Sequence, residues 1–285
     1  MTTTTSTRGT WRRQGRFFSR LIRLNIEVTF AYRGDFMIMQ LGNLIIPITS
    51  LLVWQAVLAT GAALPVTGRY LLAYFVLVAI VEMLASSWTA FFLAESIRNG
   101  DLNQWLIRPT STHLNAVSNN IGEKLVKIIF LTPFVLITMI VLDRVRIGGS
   151  GIHYPHDPIR WIAFAVAVLV AAAIRFTLDV LIGSLAFWFE DVQGFLRVSA
   201  VVVPVLSGAV VPLALMPAGW STVTQLQPFR FMLAFPMDVL LSDRIWARPQ
   251  LVTGFGLQLG WLLIFVAAAV AVWRRGLRSY SAVGA

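Results

Sequence analysis

The chain has 285 residues, 57% of them hydrophobic and only 13% charged, with a mean hydropathy of +0.75. A soluble domain carries about 25% charged residues, so this composition describes a polytopic membrane protein with a single membrane domain. The absence of cysteine excludes disulfides, thiolate metal sites and cysteine nucleophiles. Net charge is +10, and arginine supplies nearly all of it, because Lys124 and Lys127 are the only lysines. The basic residues sit beside apolar spans, so they point to anionic lipid head groups and the positive-inside rule, and not to nucleic acid.

Residues 1–10 read as a disordered tail, with no signal peptide before the first span. Residues 11–33 read as an amphipathic helix. At 100° per residue Arg12, Arg13, Arg16, Arg20, Arg23 and Glu27 share one sector, and Phe17, Phe18, Leu21, Ile22, Leu24 and Val28 take the other side. Such a helix lies in the membrane surface. An Arg-rich targeting peptide is the alternative, but the helix runs directly into a span. The membrane domain covers 34–275 and is all-α, with six spans. Phe36 to Leu58 is the first, kinked by Pro47, with Trp54 as an interfacial aromatic near its far end. Tyr70 to Leu93 is the second, with Tyr70 and Tyr74 at its outer end and Glu82 as its one charge.

A polar island follows. Asn99-Gly100 breaks the helix, Asp101 caps a new short one, and Arg108-Pro109 stops it. The third span is Val126 to Leu142, with Lys124 and Lys127 reaching back to the inner surface. The fourth is Ile159 to Phe189, interrupted by Arg175 and Asp179. A tight inner turn holds Glu190 and Asp191, and the fifth span runs from Phe195 to Leu213, loosened by Pro204, Gly208 and Pro212. Residues 215–248 are apolar but broken by Pro217, Gly219, Pro228 and Pro236. They read as short re-entrant helices that dip into the outer leaflet or lie on it. Leu251 to Trp273 is the sixth span, and 276–285 form a basic tail. Six spans put both termini on one side. That side, with the polar island and Arg197, holds roughly two thirds of the 23 Lys and Arg residues and is assigned to the cytoplasm.

Sites follow from the same pass. No Gly-x-x-x-x-Gly-Lys-Ser/Thr loop occurs, so the chain has no P-loop for ATP. His153 and His156 are two ligands on a loop, too few for a metal site. Glu190 and Asp191 are adjacent and point apart, which argues against an acid pair and against an enzyme. Arg175 and Asp179 are four apart on one face. They form either a neutralised structural pair or the border of a pathway, and Glu82 is a candidate to share their polar cluster. Leu102, Trp105 and Leu106 make one apolar face on a short helix in an otherwise polar loop, a shape suited to docking in a protein groove or on lipid.

The chain resembles the permease subunits of the ABC-2 type exporter family, in its bacterial six-span branch. The likeness rests on Arg23-Leu-Asn-Ile-Glu-Val-Thr-Phe-Ala-Tyr-Arg-Gly-Asp-Phe36, on Ser96-Ile-Arg-Asn-Gly-Asp-Leu102 with Leu106-Ile-Arg-Pro109, and on Leu185-Ala-Phe-Trp188. The stretch Val211-Pro-Leu-Ala-Leu-Met-Pro217 to Gln227-Pro-Phe-Arg-Phe231 matches the family's layout. The resemblance implies a coupling helix over 97–108, carried by Ile97, Arg98, Gly100, Asp101, Leu102, Trp105, Leu106 and Arg108. It implies a secondary coupling turn at Glu190, Asp191 and Arg197. It also implies two permeases forming the path, as a homo- or heterodimer in the bacterial inner membrane, and separate ATPase subunits that bind the ATP and Mg. No cofactor or metal is then expected in this chain. Few charged walls favour an amphipathic or lipid-like cargo. A stand-alone secondary transporter is the alternative; it requires clustered buried acids or broken helices, which the sequence does not display. A membrane enzyme or scaffold is a weaker one.

Overall fold

The structure, a computed structural model, describes residues 7–103, 112–145, 154–216 and 218–280. These residues are helical, with no strand among them. In chain order the helices are α1 (Thr7–Ala31), α2 (Arg33–Gly42), α3 (Ile45–Ala59), α4 (Gly68–Ala85), α5 (Thr89–Arg98), α6 (Thr112–Val145), α7 (Pro158–Gly183), α8 (Gln193–Ser207), α9 (Ser221–Leu226), α10 (Ala234–Leu241) and α11 (Arg248–Ser279). Single 3-10 turns occupy Ser184–Phe187, Leu213–Leu215, Ala218–Trp220, Pro228–Met232 and Asp243–Trp246.

Local chemistry sets the ends. Thr67 accepts a hydrogen bond from the Tyr70 N–H at the start of α4. Asp157 accepts from the Ile159 N–H, and Pro158 begins α7 at the position where its missing N–H costs nothing. Asp191, one residue before the N-cap, accepts from the Gln193 N–H at the start of α8. By length and composition four stretches can cross a membrane: Arg33–Ala59, Gly68–Arg98, Pro158–Phe187 and Arg248–Ser279. The expected third span falls within the 34 residues of α6, and the fifth begins in α8, which has only 15.

Three spans differ from the sequence expectation. The first is broken at Asn43–Leu44, between α2 and α3. Pro47 explains the position, because its ring crowds the carbonyl four residues back, which is that of Asn43. The second is broken at Ser86–Trp88 and not continuous. The fifth stops at Gly208, whose φ of +98° is the left-handed conformation of a helix C-terminus, so the helix does not reach Leu213.

Core packing centres on α4, α7 and α10. Leu71, Tyr74, Phe75 and Val78 meet Phe164, Val168, Leu233 and Met237 in one cluster. Ala167, Ile174, Phe231, Phe235 and Val239 form a second, with Phe255 and Trp261 of α11 against it. In lipid, apolar burial by itself gains little, since acyl chains are as apolar as the core. Backbone polar groups are the larger stake, because each one left without a partner in hydrocarbon costs several kcal/mol.

Between α8 and α11 the helices are short, and side-chain donors, most of them from neighbouring helices, serve the carbonyls they leave. Tyr74 Oη donates to Gly208 O at 2.9 Å and Trp54 Nε1 to Val210 O at 3.2 Å. Trp261 Nε1 donates to Leu226 O at 2.8 Å, and Trp246 Nε1 to Val239 O at 2.9 Å. Gln258, fully buried on α11, donates to Phe231 O at 3.0 Å and to Ala167 O at 2.9 Å. The polar ends of Trp54 and Tyr74 are therefore taken up by protein carbonyls.

Replacing Gln258 with Leu keeps the volume but strips Phe231 O of its donor. The expected cost is about 1–3 kcal/mol, read as a lower thermal-unfolding midpoint in detergent. An unchanged midpoint would show that this bond contributes nothing.

Candidate functional site at the broken second span

The break between α4 and α5 lies beside charged side chains of α6 and α7. Ser86 ends α4 in an extended conformation. Ser87 Oγ accepts from the Thr89 N–H at 3.2 Å, a local side-chain bond that competes with the helix ladder. The carbonyls at the end of α4 point at α6. Lys127 Nζ donates to Ser86 O at 3.1 Å and to Ser86 Oγ at 2.8 Å, and Lys124 Nζ donates to Ser86 O at 3.3 Å. Two ammonium groups thus sit on the negative end of a helix dipole. Lys127 is also paired with Glu123 at 2.5 Å, and its side chain is completely buried. Both lysines turn to the carbonyl of the break, and Lys127 is buried there against Glu123.

Arg175 and Asp179 lie across the break on α7. Arg175 Nε is 3.6 Å from Asp179 Oδ1, an ion pair too long for a hydrogen bond. Arg175 Nε and Asp179 Oδ2 are both buried without a hydrogen-bond partner. Ser87 is within hydrogen-bonding reach of the Asp179 carboxylate. Arg175 is the cation whose field acts on Glu82, with no ion pair between the two among the described residues. A cavity of about 330 Å³ opens beside the pair, walled by Ser87, Trp88 and Phe91 of the break and α5, by Arg175 and Asp179, and by Arg197 of α8. The ends of α5 and α7 approach closely: a Cβ at Gly183 would lie 2.9 Å from Ala90 O.

The polar island begins at the far end of α5. Ile97 and Leu102 are buried with Trp273 of α11, and Leu93, Phe187, Leu277 and Tyr280 pack around them. Phe187 stands edge-on to Trp273 at 5.4 Å and to Tyr280 at 5.7 Å. Arg98 Nη1 donates to Glu190 O at 3.4 Å, tying α5 to the turn before α8. Gly100 takes φ +80° and turns the chain into a new helical start at Leu102. Asp101, Glu190 and Arg197 are exposed. Leu102 is fully buried, so it anchors the segment to its own chain and offers no face to a partner. Trp105, Leu106 and Arg108 lie outside the described residues, as does His153. Among the described residues, no three His, Asp or Glu gather as metal ligands.

Sequence reasoning found Arg175, Asp179 and Glu82, but missed Ser86, Ser87 and the inward lysines. The available signal was a Ser-Ser pair inside an apolar run with two lysines three apart on the next helix. Removing the buried cation tests the arrangement. Lys127→Met leaves Glu123 without its partner, and breaking such a buried pair costs about 3–5 kcal/mol. Thermal unfolding should show that loss, and Lys127→Met with Glu123→Gln should recover part of it.

The profile of a family described as ABC-2 family transporter protein matches residues 44–284. No curated protein and no solved structure matches the chain. The match covers the broken second span, the inner turn and the whole of α11. The chain therefore belongs to the ABC-2 family of transporter proteins.

Proposed function

We propose that the chain is the permease subunit of an ATP-driven exporter, one of a pair that forms the path across a bacterial inner membrane. ABC-2 family permeases work with ABC ATPase subunits. Here those subunits bind the ATP and Mg. The six crossings are α2–α3, α4–α5, α6, α7, α8 with the short helices after it, and α11. Both termini are cytoplasmic. The exposed Arg20 and Arg23 of α1 rest on acidic head groups at the inner surface. The broken second span belongs to the pattern expected of ion-driven carriers, but the family match favours the ATP-driven reading.

The junction at Ile97 and Leu102 carries this proposal. A loop that only connected two spans would have no reason to bury both residues against the end of α11 and to bond Arg98 to Glu190 O. The clamp joins α5, the Ser184–Phe187 turn and the end of α11, so a push on 97–108 reaches three crossings together. Docking falls to the part of the segment that follows Leu102, with Trp105 and Leu106 as its apolar residues. Binding of ATP closes the partner, and the segment converts that closure into a tilt of the second span. The cargo is amphipathic or lipid-like.

Trp105→Ala is expected to insert at the wild-type level but to recover less of the ATPase subunit in a pull-down. Recovery at the wild-type yield would refute docking through 97–108. Leu102→Asp behaves differently, because it forces a carboxylate into a buried apolar site. It should lower the yield of folded permease before any coupling is measured.

A further inference from the structure

We propose that the cavity between the break, α7 and α8 binds an amphipathic anion, a phosphate or carboxylate head on an apolar tail, with Arg175 and Arg197 as head-group ligands. Two guanidinium groups and one carboxylate line the cavity, leaving a surplus positive charge. Gln193, Ser87 and Ser199 add neutral hydrogen-bonding groups to the same wall. The site is polar in an otherwise apolar span, and it is incomplete. Arg175 Nε donates to nothing and Asp179 Oδ2 accepts from nothing, although Asp179 is only 4% exposed. Arg175 and Asp179 are too far apart to satisfy each other. An oxyanion between Arg175 and Arg197 meets two charge-assisted donors, with the single Asp179 charge opposing it.

The tail follows from the surroundings. Trp88, Phe91 and Leu196 form the apolar part of the wall. Phe91, Phe195 and Val198 continue it as exposed apolar surface along α5 and α8. Arg197 lies one turn inside α8, and Arg175 about 12 Å from the end of α7. The head therefore sits at the depth of the basic end of the bundle, where an inner-leaflet amphipath presents its own. That this ligand is cargo rests on the exporter reading; that it binds does not.

The test uses the purified full-length permease without the ATPase, in a neutral detergent. Native mass spectrometry follows titration with dodecyl phosphate, dodecyltrimethylammonium or inorganic phosphate, each alone. Dodecyl phosphate is expected to bind tightest. Arg175→Gln and Arg197→Gln should each weaken that event about tenfold, the loss of one charge-assisted bond. Asp179→Asn should strengthen it by removing the one opposing charge in the cavity wall. Arg20→Gln with Arg23→Gln should leave it unchanged, separating the cavity from α1. Arg197 is exposed, so its variant keeps the fold if Arg175→Gln does not. Equal binding of the ammonium amphipath would overturn the anion assignment. Inorganic phosphate binding as tightly as dodecyl phosphate would mean a free anion, and wild-type affinity in Arg197→Gln would remove the site. Failure here leaves ATPase recovery by the permease untouched, so the two proposals fall separately.

Discussion

A carbonyl at the end of a helix has no partner within that helix, and hydrocarbon offers it none. Ser86 O is such a group, and the protein answers with two ammonium donors from α6. The charges that satisfy it then require their own compensation. Glu123 supplies it for Lys127. On the other side, Ser87 is freed from the helix ladder and turns to Thr89 and Asp179. One interrupted ladder thus accounts for the position of the lysines and for the polar character of the neighbouring α7.

The same rule shapes the opposite end. Residues 208–246 leave a series of carbonyls outside any long helix, and indole, phenol and amide donors meet them one by one. These donors are neutral, whereas those at the Ser86 break are charged. A neutral bond fixes a shape with little lasting field around it. At the Ser86 break the donors carry charge, and the cavity beside it is walled by Arg175, Asp179 and Arg197.

Much of this was legible in the sequence, because hydropathy and basic residues report on position along the membrane normal. The helical class and the spans with clean apolar runs follow from that signal, and the proline and glycine breaks give the short helices within 215–248. Sequence also placed Arg175 with Asp179, since residues four apart on a helix share a face. What it could not show is direction around the normal. Lys127 reads as a residue reaching for the surface until the Ser86 carbonyl is seen beside it. Leu102 reads as a docking residue until Trp273, 171 positions later, is found against it. The partners of Trp54 and Tyr74, the carbonyls of Val210 and Gly208, are as distant in sequence. Each of these is a contact between distant parts of the chain, which local pattern does not encode.

The break also decides how a push would travel. α4 is held in the core by Leu71, Tyr74 and Phe75, whereas α5 is held at its other end by Arg98 and Ile97. Both pack on the continuous α7, but no helix ladder joins them across Ser86–Trp88. In the exporter reading a push at 97–108 moves α5 first, together with the Ser184–Phe187 turn and the end of α11, and α4 follows through the shared packing on α7. The moving α5 carries Phe91, while Arg175 and Asp179 stay with α7. The cavity is bounded by both, so its width changes with any tilt of α5. In the exporter reading, the ligand at Arg175 and the ATPase at 97–108 act on the same ten-residue helix from its two ends.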